Sequence, residues 1–158
     1  MRDTIAAPLR IQPDVVPNVV KDSNVYTLPL QATAREAAQL MATFGTGALV
    51  VLDAKGQVAG LVTEEDLVRE VVAKGLDPGA ARLAELVKRS FDALAPSDLA
   101  LDALDLMRLR RTSHLAVLDG ERLTAVVSVG DICEAVRQTL DAQLRARQAA
   151  FFGSQLRE

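Results

Sequence analysis

The sequence predicts an α+β fold built from one small unit used twice. Three observations carry this. Apolar runs of strand length alternate with apolar stripes of helical period. The strand-to-helix turn Gly60-Leu61-Val62-Thr63-Glu64-Glu65-Asp66 returns as Ala125-Val126-Val127-Ser128-Val129-Gly130-Asp131. The surrounding elements keep their spacing: Ala103, Leu106 and Met107 follow Ala37, Leu40 and Met41 by 66 residues. Ser128 and Asp131 follow Thr63 and Asp66 by 65, because the turn Asp119-Gly120-Glu121 is one residue shorter than its counterpart. That period exceeds solenoid repeats, so it indicates two copies of a small domain rather than an array.

The elements follow in order. Residues 1–14 read as irregular, with Pro8 and Pro13 limiting helix, and 15–20 is the first candidate for regular structure. Thr33-Ala34-Arg35-Glu36 has capping-box spacing. Ala37, Leu40, Met41 and Phe44 then form a helical stripe that Gly45 terminates. Ala48–Leu52 is a continuous apolar run, readable as a strand buried on both faces. The turn Asp53-Ala54-Lys55-Gly56 leads into a second strand over 57–62, so the two form a hairpin. Thr63 caps a helix reaching about Lys74, which Gly75 stops. Residues 76–89 are a connector with a short helix over 81–88. Leu115, Ala116, Val117, Leu118 and Asp119 then match Leu49 to Asp53 at the same offset.

The last helix is predicted from Val129 to about Phe151, with Ile132, Val136, Leu140 and Leu144 along one face. At 1.5 Å per residue it spans roughly 30 Å. It packs on its own domain or serves as a dimer arm, and both readings stand. The chain is therefore divided into an N-terminal segment 1–14, repeat 1 at 15–77, repeat 2 at 78–138, and a helical extension and tail at 139–158.

Composition narrows the functions. The chain has 158 residues, 49% of them apolar, enough for a buried core. Its net charge of −3 argues against nucleic acid as a partner. With no Trp and one Tyr, a base-stacking surface is not expected. Cys133 is the only cysteine, which fits a cytoplasmic setting without disulfides. Arg2, Asp3, Arg10 and Asp14 interrupt any signal-peptide core, and no apolar run is long enough for a membrane span. Gly45-Thr46-Gly47 is too short for a nucleotide fingerprint, no nucleophile–base pair is spaced for catalysis, and Asp53 and Asp119 read as turn residues.

A helix with Ala-x-x-Leu-Met, a strand ending in Asp, a hairpin, and hydroxyl-x-x-Asp opening a helix all occur twice. This arrangement resembles a tandem pair of CBS (cystathionine β-synthase) domains, the Bateman module, over roughly residues 15–138. The resemblance implies two β-α-β-β-α units packed through their sheets about a pseudo-twofold axis. It implies a homodimer, and an adenosine-containing ligand (AMP, ADP, ATP or S-adenosylmethionine) held in clefts between the repeats. The expected role is a stand-alone regulatory module for another protein, not an enzyme and with no catalytic cofactor. The alternative is a dimerisation scaffold with empty clefts. The sequence departs from the family in having Val20 and Val87 where many members have Met, and Val50 and Ala116 where Pro is frequent. Ala125 stands where repeat 1 has Gly60, which is expected to narrow the repeat 2 cleft.

Taken by themselves, Thr63-x-x-Asp66 and Ser128-x-x-Asp131 are near-matches to a capping box, with Asp where the box favours Glu or Gln. Helix N-termini also favour anions. The resemblance adds that the Asp accepts from ribose hydroxyls while Thr or Ser meets ribose or phosphate. It makes Thr112, Ser113 and His114 candidates for ligand phosphates, with Thr46, Gly47 and Ala48 their counterparts. Fold symmetry then pairs Thr63 and Asp66 with Thr112 to His114 in one cleft, and Ser128 and Asp131 with Thr46 to Ala48 in the other. The stretch 24–26, Asn24 through Tyr26, is expected to line the adenine through its backbone.

His114 is the sole histidine, and no ligand set for a metal accompanies it. Arg108, Arg110 and Arg111, with Lys88 and Arg89, form a basic cluster that is either a solvated face or an attraction for phosphates. Ala48, Phe44 and Gly45 match His114, Arg110 and Arg111, so the cleft with His114 is expected to prefer more phosphate charge. An ordinary histidine pKa near 6.5 would make that preference grow on acidification.

Overall fold

Each repeat builds a three-stranded sheet. β1 (Thr27–Pro29) runs parallel to β2 (Ala48–Leu52), which pairs antiparallel with β3 (Val58–Thr63). β4 (Ala93–Leu94), β5 (His114–Asp119) and β6 (Arg122–Ser128) repeat that order and those directions. Parallel neighbours need a crossover, and α1 (Ala34–Phe44) and α4 (Ala100–Arg110) supply it. α2 (Glu64–Leu67) leaves β3, α3 (Leu83–Leu86) lies between the repeats, and α5 (Val129–Gln155) leaves β6. Both units are thus β-α-β-β-α. This computed structural model describes residues 25–87 and 91–155, with side chains through residue 152. The expectations for 1–24, including Val20 and Asn24, and for Lys88 and Arg89 lie outside the described residues.

Local chemistry explains the helix ends. Thr33 Oγ1 accepts from the Glu36 backbone N–H, and the Glu36 carboxylate accepts from the Thr33 backbone N–H, so the predicted capping box closes. Gly45 ends α1 in the left-handed conformation, at φ 63°. Repeat 2 keeps this geometry without the favourable residues. Leu99 precedes α4 with no side-chain cap, and Arg111 ends it at φ 52°. A side chain in that region costs on the order of 1 kcal/mol.

The helix after Thr63 is not α-helical to Lys74 as expected. It widens into a π-helical segment at Val68–Val72, where Ala73 N–H donates to the Val68 carbonyl five residues back. Such segments cluster at functional sites. The predicted helix over 81–88 is a single turn, tied to repeat 1 because Leu83 N–H donates to the Ala32 carbonyl and Ala84 N–H to that of Leu30.

The described residues form two cores. Ala37, Met41, Leu49, Val51, Val62 and Leu83 meet in the first, and Ala103, Met107, Leu115, Val117, Val127 and Ile132 in the second. Val50 and Ala116 are also fully buried but belong to neither cluster. They sit on the opposite strand faces, and β3 and β5 meet across the repeats. Burial on both faces is why β2 and β5 read as continuous apolar runs.

Only the first part of α5 packs on its own domain. Ile132 and Ala135 are buried and Val136 packs on the second core, while residues 144–152 are exposed throughout. The helix has 27 residues, so Phe151 and Phe152 lie within it rather than ending it.

Candidate functional site

The two strand-to-helix turns have one geometry. Thr63 Oγ1 accepts from the Asp66 N–H at 3.2 Å, and Asp66 Oδ2 accepts from the Thr63 N–H at 3.1 Å and its hydroxyl at 2.9 Å. Ser128 and Asp131 repeat this at 3.1, 2.8 and 2.8 Å. The shorter Asp therefore closes the capping box as Glu36 does, and its length does not set these turns apart from simple caps. One oxygen of each carboxylate remains. Asp66 Oδ1 lies 3.8 Å from an Arg69 nitrogen. Asp131 Oδ1 has no hydrogen bond or ion pair among the described residues.

A cavity of about 450 Å³ opens between the repeats beside Thr63 and Asp66. That is within the size range of small-molecule sites. Repeat 1 contributes Thr63, Asp66 and Arg69, and repeat 2 contributes Arg110, Arg111, Thr112 and His114. The pairing of Thr63 and Asp66 with Thr112 and His114 is thus the crossed one. Leu61, Leu86, Phe91 and Leu115 supply apolar wall. Arg110 is gripped by Asp92, with Nε 2.6 Å from Oδ2 and Nη2 3.2 Å from Oδ1. Arg108 instead sits on an exposed face, 3.8 Å from Asp105.

His114 is held from both repeats. Ser113 Oγ donates to Glu65 Oε1 at 2.6 Å and contacts His114 Nδ1 at 3.0 Å. With its one proton directed to the carboxylate, the hydroxyl accepts from Nδ1–H, which leaves Nε2 bare in the neutral ring. That ring lies against Gly47: a Cβ there would stand 2.9 Å from Cε1 and 3.2 Å from Nε2. Burial holds the His114 pKa below the ordinary value, opposed by the carboxylates of Glu65, Asp131 and Glu64. The expected titration near 6.5 therefore moves to lower pH. The hydrogen bond from Ser113 is the main cause lowering the Glu65 pKa, against partial burial.

Ser113 faces a shallower groove with Glu65, Met107 and Arg111. Thr112 and Thr46 are matched clamps, their hydroxyls donating to the His114 and Ala48 carbonyls at 3.1 Å each. Ala48 is buried, and Thr46 and Gly47 are half-buried. Tyr26 does not line the cavity. Its ring stacks on Phe44 at 4.3 Å, and its carbonyl accepts from the Val50 N–H. Ala125 lies in the second core, fully buried.

Sequence reasoning passed over Arg69, Asp92 and Glu65. Arg69 was discoverable as the i+3 neighbour of Asp66 on its helix. Asp92 occupies the repeat position of Tyr26, which the sequence had singled out. Among the described residues no cluster of three His, Cys, Asp or Glu could hold a metal ion, and no helix is long and apolar enough to cross a membrane.

Comparisons with known proteins agree with this architecture. The sequence model of the CBS domain matches residues 18–73 and again 83–138. The structure of a signal-transduction protein with CBS domains from Burkholderia ambifaria is similar, with 32% identity and a TM-score of 0.70, covering 75% of this chain and 90% of that one. A hexameric CBS-CP12 protein from bloom-forming cyanobacteria is similar at 28% identity and a TM-score of 0.67, covering 74% and 68% of the two chains. The arabinose 5-phosphate isomerase of Yersinia pestis is 32% identical over 113 residues, 72% of this chain. The chain spans only 34% of that relative's length. With both repeats matched and the β-α-β-β-α order present twice, this chain belongs to the CBS domain family and carries two CBS domains in tandem.

Proposed function

We propose that this CBS pair is a regulatory module that binds an adenosine-containing ligand between its repeats and signals its occupancy to another protein. The observation that carries this reading is the cavity where a fixed hydroxyl–carboxylate pair, Thr63 and Asp66, faces Arg110, Arg111 and His114. Asp66 Oδ2 is immobilised by its cap, so Oδ1 is aimed for ribose hydroxyls. Arg69, Arg110 and Arg111 supply donors for phosphates, His114 adds an Nε2–H only when protonated, and Leu61, Leu86, Phe91 and Leu115 supply wall for a base. AMP, ADP and ATP fit that division better than S-adenosylmethionine, which has no phosphate for the arginines. A ligand touching both repeats stabilises one relative placement of them, and that differential contact is what a partner protein would read.

The chain acts as a homodimer or larger assembly in the cytoplasm. Val68, Val72 and Leu109 are 60, 67 and 72% exposed, an unusual apolar load for helices in water. The hexameric CBS relative gives a precedent for assembly. This apolar surface also favours the second reading, a scaffold whose clefts stay empty. Calorimetric titration of ligand-stripped protein with AMP, ATP and S-adenosylmethionine separates the two. Saturable binding that Asp66→Ala weakens supports sensing, and no binding of any of the three leaves the scaffold.

A further inference from the structure

The three arginines of the Thr63 cavity are not equally available. Arg111 has no ion pair or side-chain hydrogen bond among the described residues. Arg69 lies 3.8 Å from Asp66 Oδ1. Arg110 is engaged most closely: its Nε lies 2.6 Å from Asp92 Oδ2, and its Nη2 donates to Asp92 Oδ1 at 3.2 Å. Two nitrogens on two oxygens use the same fork that a guanidinium offers a phosphate. The two side chains are still 54 and 36% exposed, and an ion pair in reach of water gains little over its separated ions. The contact itself belongs to the fold. Asp92 corresponds to Tyr26 and Arg110 to Phe44, and in repeat 1 those rings stack at 4.3 Å. Repeat 2 places charges at the same two positions, and both line the cavity.

Resting on phosphate binding in this cavity, we propose that Asp92 is a built-in competitor for the ligand's phosphates. In the empty cavity its carboxylate holds Arg110. A phosphate, with more charge and more acceptor oxygens, takes Arg110 over, and Asp92 is released by the loss of its partner and by like-charge repulsion. The place of Asp92 in the chain gives that release a consequence. It immediately precedes β4, the first strand of repeat 2, and follows α3, whose Leu83 and Ala84 are hydrogen-bonded to repeat 1. Occupancy of the cavity is thereby passed to the segment that joins the two repeats. The exchange swaps one ion pair for another, so the two states differ little in free energy and the ligand decides between them.

The test is a double-mutant cycle on the ligand-stripped full chain: parent, Asp92→Asn, Arg110→Ala and both together, each titrated calorimetrically with ATP and with inorganic tripolyphosphate. Asparagine keeps an acceptor for Arg110 and removes only the charge, and melting checks that each variant folds. Asp92→Asn is expected to bind ATP about threefold to fivefold tighter, the worth of an ion pair in reach of water. That gain should vanish when Arg110 is alanine. Weaker ATP binding in Asp92→Asn overturns the proposal, because Asp92 then holds Arg110 ready for the ligand. Unchanged affinity also overturns it and leaves a strut like Tyr26 on Phe44. So does a gain that persists in the Arg110→Ala background, which is plain repulsion between Asp92 and phosphate. Release is read by NMR at the Ala93 amide. Its signals in the parent and in Arg110→Ala should differ without ligand and converge at saturating ATP, and signals that stay equally far apart refute release. Tripolyphosphate reaches the arginines without a nucleoside. The expected pattern with tripolyphosphate, and no added affinity for ATP, supports the competitor while removing the adenosine reading. Binding of neither probe by any variant overturns both.

Discussion

Replacing Gly47 by Ala tests the seat of His114. The backbone at 47 lies outside the left-handed region, so alanine is conformationally acceptable and the conflict is local. The new methyl would lie 2.9 Å from His114 Cε1 and 3.2 Å from Nε2, against about 3.5–4.0 Å for a relaxed carbon contact. The ring must move by roughly half an ångström or more. Losing its contact with Ser113 costs about 1 kcal/mol, and a strained rotamer about 0.5–1.5 kcal/mol. Removing a glycine from the unfolded chain returns about 0.4–1 kcal/mol. The balance is a loss of about 0.5–2 kcal/mol, readable by urea denaturation. His114 is the only histidine, so its ring protons give one unambiguous NMR titration. In the parent, burial keeps that pKa below the ordinary value. In Gly47→Ala the displaced ring is better hydrated and its pKa rises toward about 6.5. A titration and stability identical to the parent's would refute the packing of His114 on Gly47.

The same histidine links stability to pH. With its folded pKa depressed, the unfolded chain binds more protons below about 6.5, so this contribution is full above that value and shrinks as pH falls toward the folded pKa. Denaturation midpoints at several pH values should lose this dependence in His114→Gln, and ATP binding should tighten on acidification in the parent but not in that variant. Arg111→Gly relieves a left-handed φ of 52°, so it should stabilise the fold by about 1 kcal/mol while weakening ATP binding, measured by melting and calorimetry. Sedimentation should find the 16.9 kDa chain as a dimer or larger at micromolar concentration, and Val68→Glu with Val72→Glu should shift it toward monomer. A parent that sediments only as monomer contradicts the assembly.

What the sequence revealed, and what it hid, follows from the range of the interactions. Capping of α1 by Thr33 and Glu36 and the doubly buried β2 and β5 depend on near neighbours or simple burial, so periodicity exposed them. The repeat offset, together with the family resemblance, exposed the crossed pairing of Thr63 with His114, because pseudo-symmetry turns a sequence match into a spatial one. The π-helical turn at Val68–Val72 was hidden, since valines and charges there satisfy an ordinary helical pattern. The fit of His114 on Gly47 was also hidden, because nothing local to either residue encodes a contact between repeats. Arg111 shows the opposite case. Its match to Gly45 was visible, yet only the backbone shows that an arginine accepts the glycine conformation.

The most direct test is titration of ligand-stripped protein with ATP, comparing the parent with Asp66→Ala and Asp66→Asn. Asp66→Ala also removes a helix cap, at about 1 kcal/mol of stability. The Asn variant keeps an oxygen for the cap and loses only the charge, so it separates the two effects. Saturable binding in the parent is predicted, with a loss of about 1.5–3 kcal/mol in folded Asp66→Ala, the range for a hydrogen bond to a charged group. Failure of the parent to bind ATP, or unchanged affinity in a folded Asp66→Ala, would contradict the Thr63–Asp66 cavity as the ligand site.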